Sequence, residues 1–305
     1  MADDSKKIWM DGKFVNWADA NVHILTHALH YGTGVFEGIR CYNTKKGPAI
    51  FRLQEHVDRL FDSCHIMKII LPFTPARIKK AITDSVKING LKECYIRPIV
   101  YIGNGAMGLY PKDNPVKVSV AAWSWGAYLG EDGIRNGIRV KTSSYSRHHI
   151  NVTMTKSKTC GSYVNSYMAK AEALECGYDE AMLLDTNGLV SEGTGENIFI
   201  VRDNILMTPP LPSVLEGITR SSIIEIARKE RIKFCEVNFT RDEVYIADEA
   251  FFTGTAAELT PIREVDGRGI GTGRPGPITR KLQDRFFSIV KGLSRGYDSW
   301  LTYVK

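Results

Sequence analysis

Strand-like and helix-like stretches alternate along this chain without a regular βαβ rhythm. That order argues against a doubly wound parallel sheet and for an α+β protein. Strand patterning covers Ile8 to Phe14, Val22 to Ile24, Ile50 to Arg52, Tyr95 to Tyr101 and Val116 to Trp123. Leu53 to Met67 places Leu53, His56, Val57, Leu60, Phe61 and Cys64 on one helical face. Pro75 opens a second helix, Ala76 to Asn89, which Gly90 stops. Further on, Ile138 to Ser143, Ala181 to Asp185, Ile198 to Arg202, Ile205 to Thr208 and Ala250 to Thr253 read as strands. Gly161 to Gly177, Thr219 to Glu230 and Pro277 to Lys291 read as helices.

The stretch from Gly126 to Gly133 contains Gly126, Gly130 and Gly133 and reads as a connecting loop. The expected division is 1–124 as a smaller N-terminal domain, 125–135 as an interdomain loop and 136–305 as a larger C-terminal domain. A chain of 305 residues, 43% hydrophobic and 24% charged, has enough apolar side chains for two such cores. The net charge of +6 is spread rather than blocked, with no basic stripe of the kind nucleic acids need. No apolar run is long enough for a membrane span. The opening MADDSKKIWMDGKF carries charges where an export signal needs an apolar run, and the six cysteines form no CxxC pair. Both features lead to the expectation of a cytoplasmic protein with reduced thiols.

Gly271–Thr272–Gly273–Arg274–Pro275–Gly276 matches G-x-G-x-x-G, but no strong strand precedes it and about thirty residues follow, too few for a dinucleotide-binding half. It reads as a glycine-rich surface loop. Four other stretches carry chemistry. Lys156 and Lys158 stand two apart in a run of small residues, with Tyr163 following; in an extended segment both point to one side, so spacing does not choose between them. Glu192 lies among small residues at the start of a strand. Gly217–Ile218–Thr219–Arg220 opens an amphipathic helix, whose free N–H groups suit a phosphate. Thr253 to Glu258 exposes backbone N–H groups among small residues, a turn suited to a carboxylate. Arg59 can add a charged fork. A lysine, a carboxylate, a phosphate cradle and a carboxylate nest are the parts that pyridoxal 5'-phosphate chemistry requires.

Their order resembles that of the class IV aminotransferases of fold type IV, and most closely the branched-chain amino acid aminotransferases. The resemblance runs over nearly the whole chain. It includes His27-Ala-Leu-His30-Tyr31-Gly32, Val35-Phe36-Glu37-Gly38-Ile39-Arg40, Tyr95-Ile-Arg97-Pro98, Trp125-Gly-Ala-Tyr128-Leu-Gly130, Ser191-Glu192-Gly193 with Glu196-Asn197, Gly217-Ile-Thr219-Arg220 and Thr253-Gly-Thr255-Ala-Ala257-Glu258. It implies a two-domain α+β fold: a smaller N-terminal α/β domain and a larger C-terminal domain with a β-barrel-like core, the cofactor lying between them.

The resemblance also implies roles. Lys158, rather than Lys156, is the Schiff-base lysine. Glu192 partners the pyridine nitrogen and Tyr163 the ring hydroxyl oxygen. Arg59, Ile218, Thr219 and Thr255 hold the phosphate. The substrate α-carboxylate sits on Tyr95 and the turn at Thr255, Ala256 and Ala257. Phe36, Tyr31, Tyr128, Trp125 and Tyr163 can build an apolar wall for an aliphatic side chain, and Arg97 can meet the distal carboxylate of glutamate. By the same resemblance Tyr31 and Leu109 come from a partner subunit, which makes a homodimer the minimal active unit and leaves dimer and hexamer both open. The implied reaction transfers an amino group between leucine, isoleucine or valine and 2-oxoglutarate by ping-pong kinetics. It suits branched-chain amino acid biosynthesis, and breakdown as well.

Cys160 and Ser162 depart from the family pattern, which usually has glycine and often asparagine there. A thiol two residues from Lys158 raises the expectation of oxidation sensitivity. His27 and His30 lack a third metal ligand and read as structural; His148 and His149 read as solvated. No metal is expected. D-amino acid aminotransferase and aminodeoxychorismate lyase are the neighbouring activities. A cofactor carrier without turnover and a non-enzymatic binding module are the readings from other classes.

Overall fold

The computed structural model describes residues 6–126 and 128–305. Residues 1–5 of the charged opening, and Ala127 in the Trp125–Gly130 motif, lie outside the described residues. The chain forms two compact units. The first comprises 1–126, 156–162 and 289–305; the second comprises 127–155 and 163–288.

The first unit begins with a hairpin, β1 (Lys7–Met10) and β2 (Lys13–Asn16). Asp11 and Gly12 turn it at φ 45° and 99°, the left-handed geometry that two-residue hairpins need. The single strand expected from Ile8 to Phe14 is therefore two strands. Val22 to Ile24, expected as a strand, is irregular, and Val22 and Ile24 are exposed; no neighbouring strand among the described residues pairs with their backbone. Next come α1 (His27–Tyr31), β3 (Gly34–Phe36), β4 (Ile39–Thr44) and β5 (Gly47–Phe51). Helices α2 (Leu53–Ile66) and α3 (Pro75–Ile88) follow, then β6 (Cys94–Ile102) and β7 (Val116–Trp123). Thr74 caps α3 by accepting from the Arg77 N–H. Helix α2 buries Leu53, His56, Val57, Leu60 and Cys64, the face that the sequence periodicity marks. Together with Ile78, Ile82 and Val86 of α3, the apolar side chains of that face build one core with Val35, Ile39, Ile96, Val100 and Val120 of the sheet.

The second unit opens with α4 (Gly130–Asn136). A helix thus occupies part of the segment expected as a loop. Glu131 and Asp132 stand in its first turn, where acids favour a helix. Gly133 lets it close on the next strand, since a Cβ there would lie 2.9 Å from Ile138 Cγ2. Then follow β8 (Ile138–Thr142), α5 (Tyr163–Glu175), β9 (Glu180–Leu184), β10 (Val190–Gly193), β11 (Asn197–Arg202) and β12 (Ile205–Thr208). The unit continues with α6 (Ile218–Lys229), β13 (Lys233–Glu236), α7 (Arg241–Tyr245), β14 (Glu249–Gly254), β15 (Glu258–Val265), β16 (Arg268–Gly269) and α8 (Pro277–Val290). Strands β8, β9, β10, β11, β14 and β15 close on themselves through the β10–β11 pairing. This six-stranded barrel removes the open edges of a flat sheet. Alternation along β11 sends Ile198 and Ile200 into a core with Val140, Met182, Val190 and Phe252. Phe199 faces the other way and stacks on Phe251, centroids 5.1 Å apart. The α+β class and the barrel-like core are as expected from the sequence.

The last strand, β17 (Leu301–Tyr303), pairs with β5 and so completes the sheet of the first unit. Among the described residues, no helix is long and apolar enough to cross a membrane, and no cluster of three or more His, Cys, Asp or Glu side chains is arranged to hold a metal ion.

Candidate active site

In the first unit the Lys158 segment lies along β3 like a short extra strand. Val35 and Thr159 form an antiparallel bridge. The Phe36 N–H donates to Lys158 O at 3.0 Å, and the Gly161 N–H donates to Gly32 O at 3.2 Å. From the other side, Ser63 Oγ accepts from the Lys158 N–H at 3.0 Å. The backbone of Lys158 is thus pinned on both sides. Its Nζ lies 5.1 Å from the centroid of the Phe36 ring, and Arg97 lies 4.6 Å from the same ring. Arg97 donates to Tyr95 Oη at 3.2 Å, and Trp125 meets the Tyr95 ring edge-on at 4.6 Å. Lys158, Phe36, Tyr95, Arg97 and Trp125, separate in the sequence, are therefore one cluster. An aromatic floor with a lysine and an arginine on it suits an apolar side chain and an anionic group together.

Arg59 does not stand alone. It grips Glu37 in a two-pronged pair, Nε–Oε1 2.7 Å and Nη2–Oε2 2.8 Å, and His56 Nδ1 lies 2.7 Å from the same Oε2. Glu37 and His56 are fully buried. Burial works against the Glu37 charge, but Arg59 and His56 outweigh it and hold its carboxyl far below the usual range. Burial is also the main cause that lowers His56, with Arg59 and Lys158 acting the same way against Glu37. A neutral His56 donates its Nδ1 proton to Glu37. The sequence singles out neither residue for this pairing: Glu37 sits inside a family motif, and His56 marks only a helix face.

In the second unit, the ends of neighbouring barrel strands set Glu192 opposite Asn197 and Asn197 opposite Thr253. Leu215 N–H and Asn197 Nδ2 donate to Glu192 Oε2 at 3.2 and 3.4 Å. On the other side Arg147 Nε lies 3.1 Å from Oε1. Asn197 also donates to Leu215 O at 3.0 Å, which ties Glu192 to the loop entering α6. That helix is capped by Gly217, whose backbone is extended at φ −71° and ψ 130° and which has no side chain to cover the first amides. A Cβ at 217 would strike Asn197 Oδ1. Ile218 and Thr219 are the first two helical residues, both buried. A glycine-capped helix start beside a fixed carboxylate offers N–H donors suited to a phosphate and an acceptor suited to a protonated ring nitrogen. Thr255, Ala256 and Ala257 make the turn between β14 and β15, closed by Gly254 pairing with Glu258. Tyr163 is the first residue of α5. The Tyr128 ring faces Lys170 Nζ at 5.4 Å.

Tyr31 and Leu109 are exposed, and Tyr31 Oη donates to Met107 O at 3.1 Å, which holds α1 to the loop carrying Leu109. His27 is fully buried with Nδ1 2.7 Å from Thr33 Oγ1 and Nε2 3.0 Å from Gly108 O, the satisfied histidine of a core. His148, expected as solvated, is half-buried, and burial with Arg147 beside it pushes it down to about 4. Burial raises the Cys160 thiol while Arg97 opposes it only in part, so Cys160 holds less thiolate than an exposed cysteine.

Glu196 is buried, accepts from the Gly195 N–H at 3.0 Å, and is pushed up to about 8 by burial and by the Glu180 carboxylate. A carboxyl raised on folding stabilises the protein fully at acid pH, below its unfolded value. That contribution is lost as pH climbs to about 8. Glu196→Gln should therefore gain on the parent chain in urea midpoint between about pH 5 and about pH 9. Parallel pH profiles for the two proteins would show that Glu196 does not hold this proton.

The family model for class IV amino-transferases matches residues 34–265. A branched-chain-amino-acid aminotransferase of Pseudomonas aeruginosa is 54% identical over 305 residues, covering 100% of this chain and 99% of its own. Among solved structures, a T.th. branched-chain amino acid aminotransferase with pyridoxamine 5'-phosphate superposes with a TM-score of 0.96 at 49% identity, covering 99% of both chains. The complex of the T.th. enzyme with N-(5'-phosphopyridoxyl)-L-glutamate gives a TM-score of 0.95 at 48% identity and covers 99% of both chains. The chain belongs to the class IV aminotransferases. Within that class it falls in the family of the branched-chain-amino-acid aminotransferases.

Proposed function

We propose that this protein uses pyridoxal 5'-phosphate to transfer the amino group between L-leucine, L-isoleucine or L-valine and 2-oxoglutarate in two half-reactions of a ping-pong cycle. The observation that carries this reading is the cluster of Lys158 and Arg97 on Phe36, with Tyr95 and Trp125 beside them. It offers an apolar surface and a fixed cation within one set of residues. The names of the relatives support the amino acid class, and the glutamate adduct bound by one of them supports the second substrate.

When bound, the cofactor supplies an electron sink for the charge left on the substrate's α-carbon. The chain's own residues do the rest. Lys158 Nζ anchors the cofactor and then moves the proton at the α-carbon. Glu192 keeps a negative charge facing the ring nitrogen. Tyr163 meets the ring hydroxyl oxygen, and Arg59, Ile218, Thr219 and Thr255 hold the phosphate. Tyr95 and the amides of Ala256 and Ala257 orient the α-carboxylate. Arg97 receives the distal carboxylate of glutamate, and Phe36, Trp125 and Tyr128 receive the branched side chain. The reading includes a homodimer in which Tyr31 and Leu109 of the partner subunit complete that wall; the exposure of these apolar side chains supports it. The six cysteines form no disulfide, which suits a reducing compartment, and we assign the enzyme to the cytoplasm.

An absorbance titration tests the proposal. Protein incubated with pyridoxal 5'-phosphate should show a yellow band that bleaches with L-leucine and returns with 2-oxoglutarate. A band that ignores L-leucine and answers to D-alanine would overturn the substrate class. No band at all would overturn the enzyme.

A further inference from the structure

We infer that Arg147 is a positioning residue that sets Glu192 and the start of α5 in one frame; the inference rests on the aminotransferase reading of Glu192. Arg147 lies in the irregular segment after β8, and its side chain is buried, 5% exposed. Its backbone N–H donates to Leu184 O at 2.7 Å, which fixes it at the end of β9. The guanidinium donates to three acceptors in different directions and pairs its charge with the Glu192 carboxylate. Nε lies 3.1 Å from Glu192 Oε1. Nη2 donates to Gly193 O at 2.6 Å, and Nη1 donates to Asn165 Oδ1 and Ser166 Oγ at 3.0 and 3.1 Å. Asn165 returns a bond from Nδ2 to Ser146 O at 3.0 Å.

The outcome is a cross-brace. One end holds the carboxylate of β10; the other holds the first turn of α5, just beyond Tyr163. A planar fork with several donors can serve these acceptors at once, whereas a lysine ammonium is a single point charge. The ion pair also sets a buried positive charge beside the Glu192 carboxylate. Arg147 reaches the cofactor only through Glu192 and α5.

The test is a double-mutant cycle on full-length protein, with Arg147→Met, Glu192→Gln and the pair, read by the dissociation constant of pyridoxal 5'-phosphate from an absorbance titration. Arg147→Met alone should weaken binding by at least about tenfold, as outer partners of a bound group do. In the Glu192→Gln background it should add little. Equal losses in both backgrounds, or none in either, would overturn the inference and leave a purely structural arginine. If Arg147→Met does not fold, Arg147→Lys runs the same cycle, since it keeps the charge and loses the fork. The parent chain is the control for the underlying reading: its failure to bind the cofactor sinks both, while normal binding with additive losses sinks the role of Arg147 alone.

Discussion

Replacing Lys158 with alanine is expected to lower turnover with L-leucine and 2-oxoglutarate by about 10⁴-fold or more. The fold should survive. The bonds that pin this segment, from the Lys158 N–H to Ser63 and from Phe36 to Lys158 O, are made by the Lys158 backbone. Only the side chain lying over Phe36 is removed. The loss should therefore fall on kcat, with circular dichroism and the melting temperature close to those of the parent. Lys156→Ala, two residues away, should stay within a few-fold of the parent. A dead Lys156 variant beside an active Lys158 variant would transfer the role.

The second large effect is structural and concerns Gly32. It ends α1 with φ +64°. A Cβ there would lie 2.6 Å from Gly161 Cα and 2.9 Å from Gly161 N, both backbone atoms of the lysine segment. Gly32→Ala is thus strained twice. The left-handed backbone costs about 1 kcal/mol and the forced separation about 2 kcal/mol more. The clash pushes at the Gly161–Gly32 bond and at the edge that seats Lys158 against β3. A fall of about 3 kcal/mol in urea unfolding, with weakened cofactor uptake, is the expected result. Gly161→Ala is the matched control: the nearest atom to its Cβ is Gly32 O at 3.5 Å, an ordinary contact. It should cost less than about 1 kcal/mol. Equal costs for the two alanines would mean that the chains separate freely here.

Local signals made much of this legible from the sequence. The Leu53, His56, Val57 and Leu60 spacing marks α2, Pro75 and Gly90 bound α3, and Val116–Trp123 matches β7 to the residue. The glycine before α6 and the threonine in its first turn mark a helix start that the structure retains. What stayed hidden depends on partners distant in the chain. Spacing alone does not separate Lys156 from Lys158; Phe36, far earlier in the chain, lies against Lys158. Glu37 gains meaning only from His56 and Arg59 on the helix behind it. Arg147 reads as an ordinary charged residue until it is seen beside Glu192 and Asn165, neither of them a near neighbour in sequence. The loop expected at Gly126–Gly133 failed for a related reason, because glycine at 133 serves close packing on Ile138 rather than chain freedom.

The first unit takes its lysine segment from residues 156–162 and its edge strand β17 from Leu301–Tyr303. A ribosome delivers a chain from its N-terminus, and early domains commonly fold while later ones are still being made. Here the leading part emerges with β5 paired to β4 but lacking β17, and with β3 lacking the Lys158 edge. Those edges must wait, exposed, until residues 156–162 and 301–303 have been made. A nascent chain released at residue 126 would carry unpaired strand edges that invite association with other copies, so a well-behaved first unit needs the chain through Tyr303.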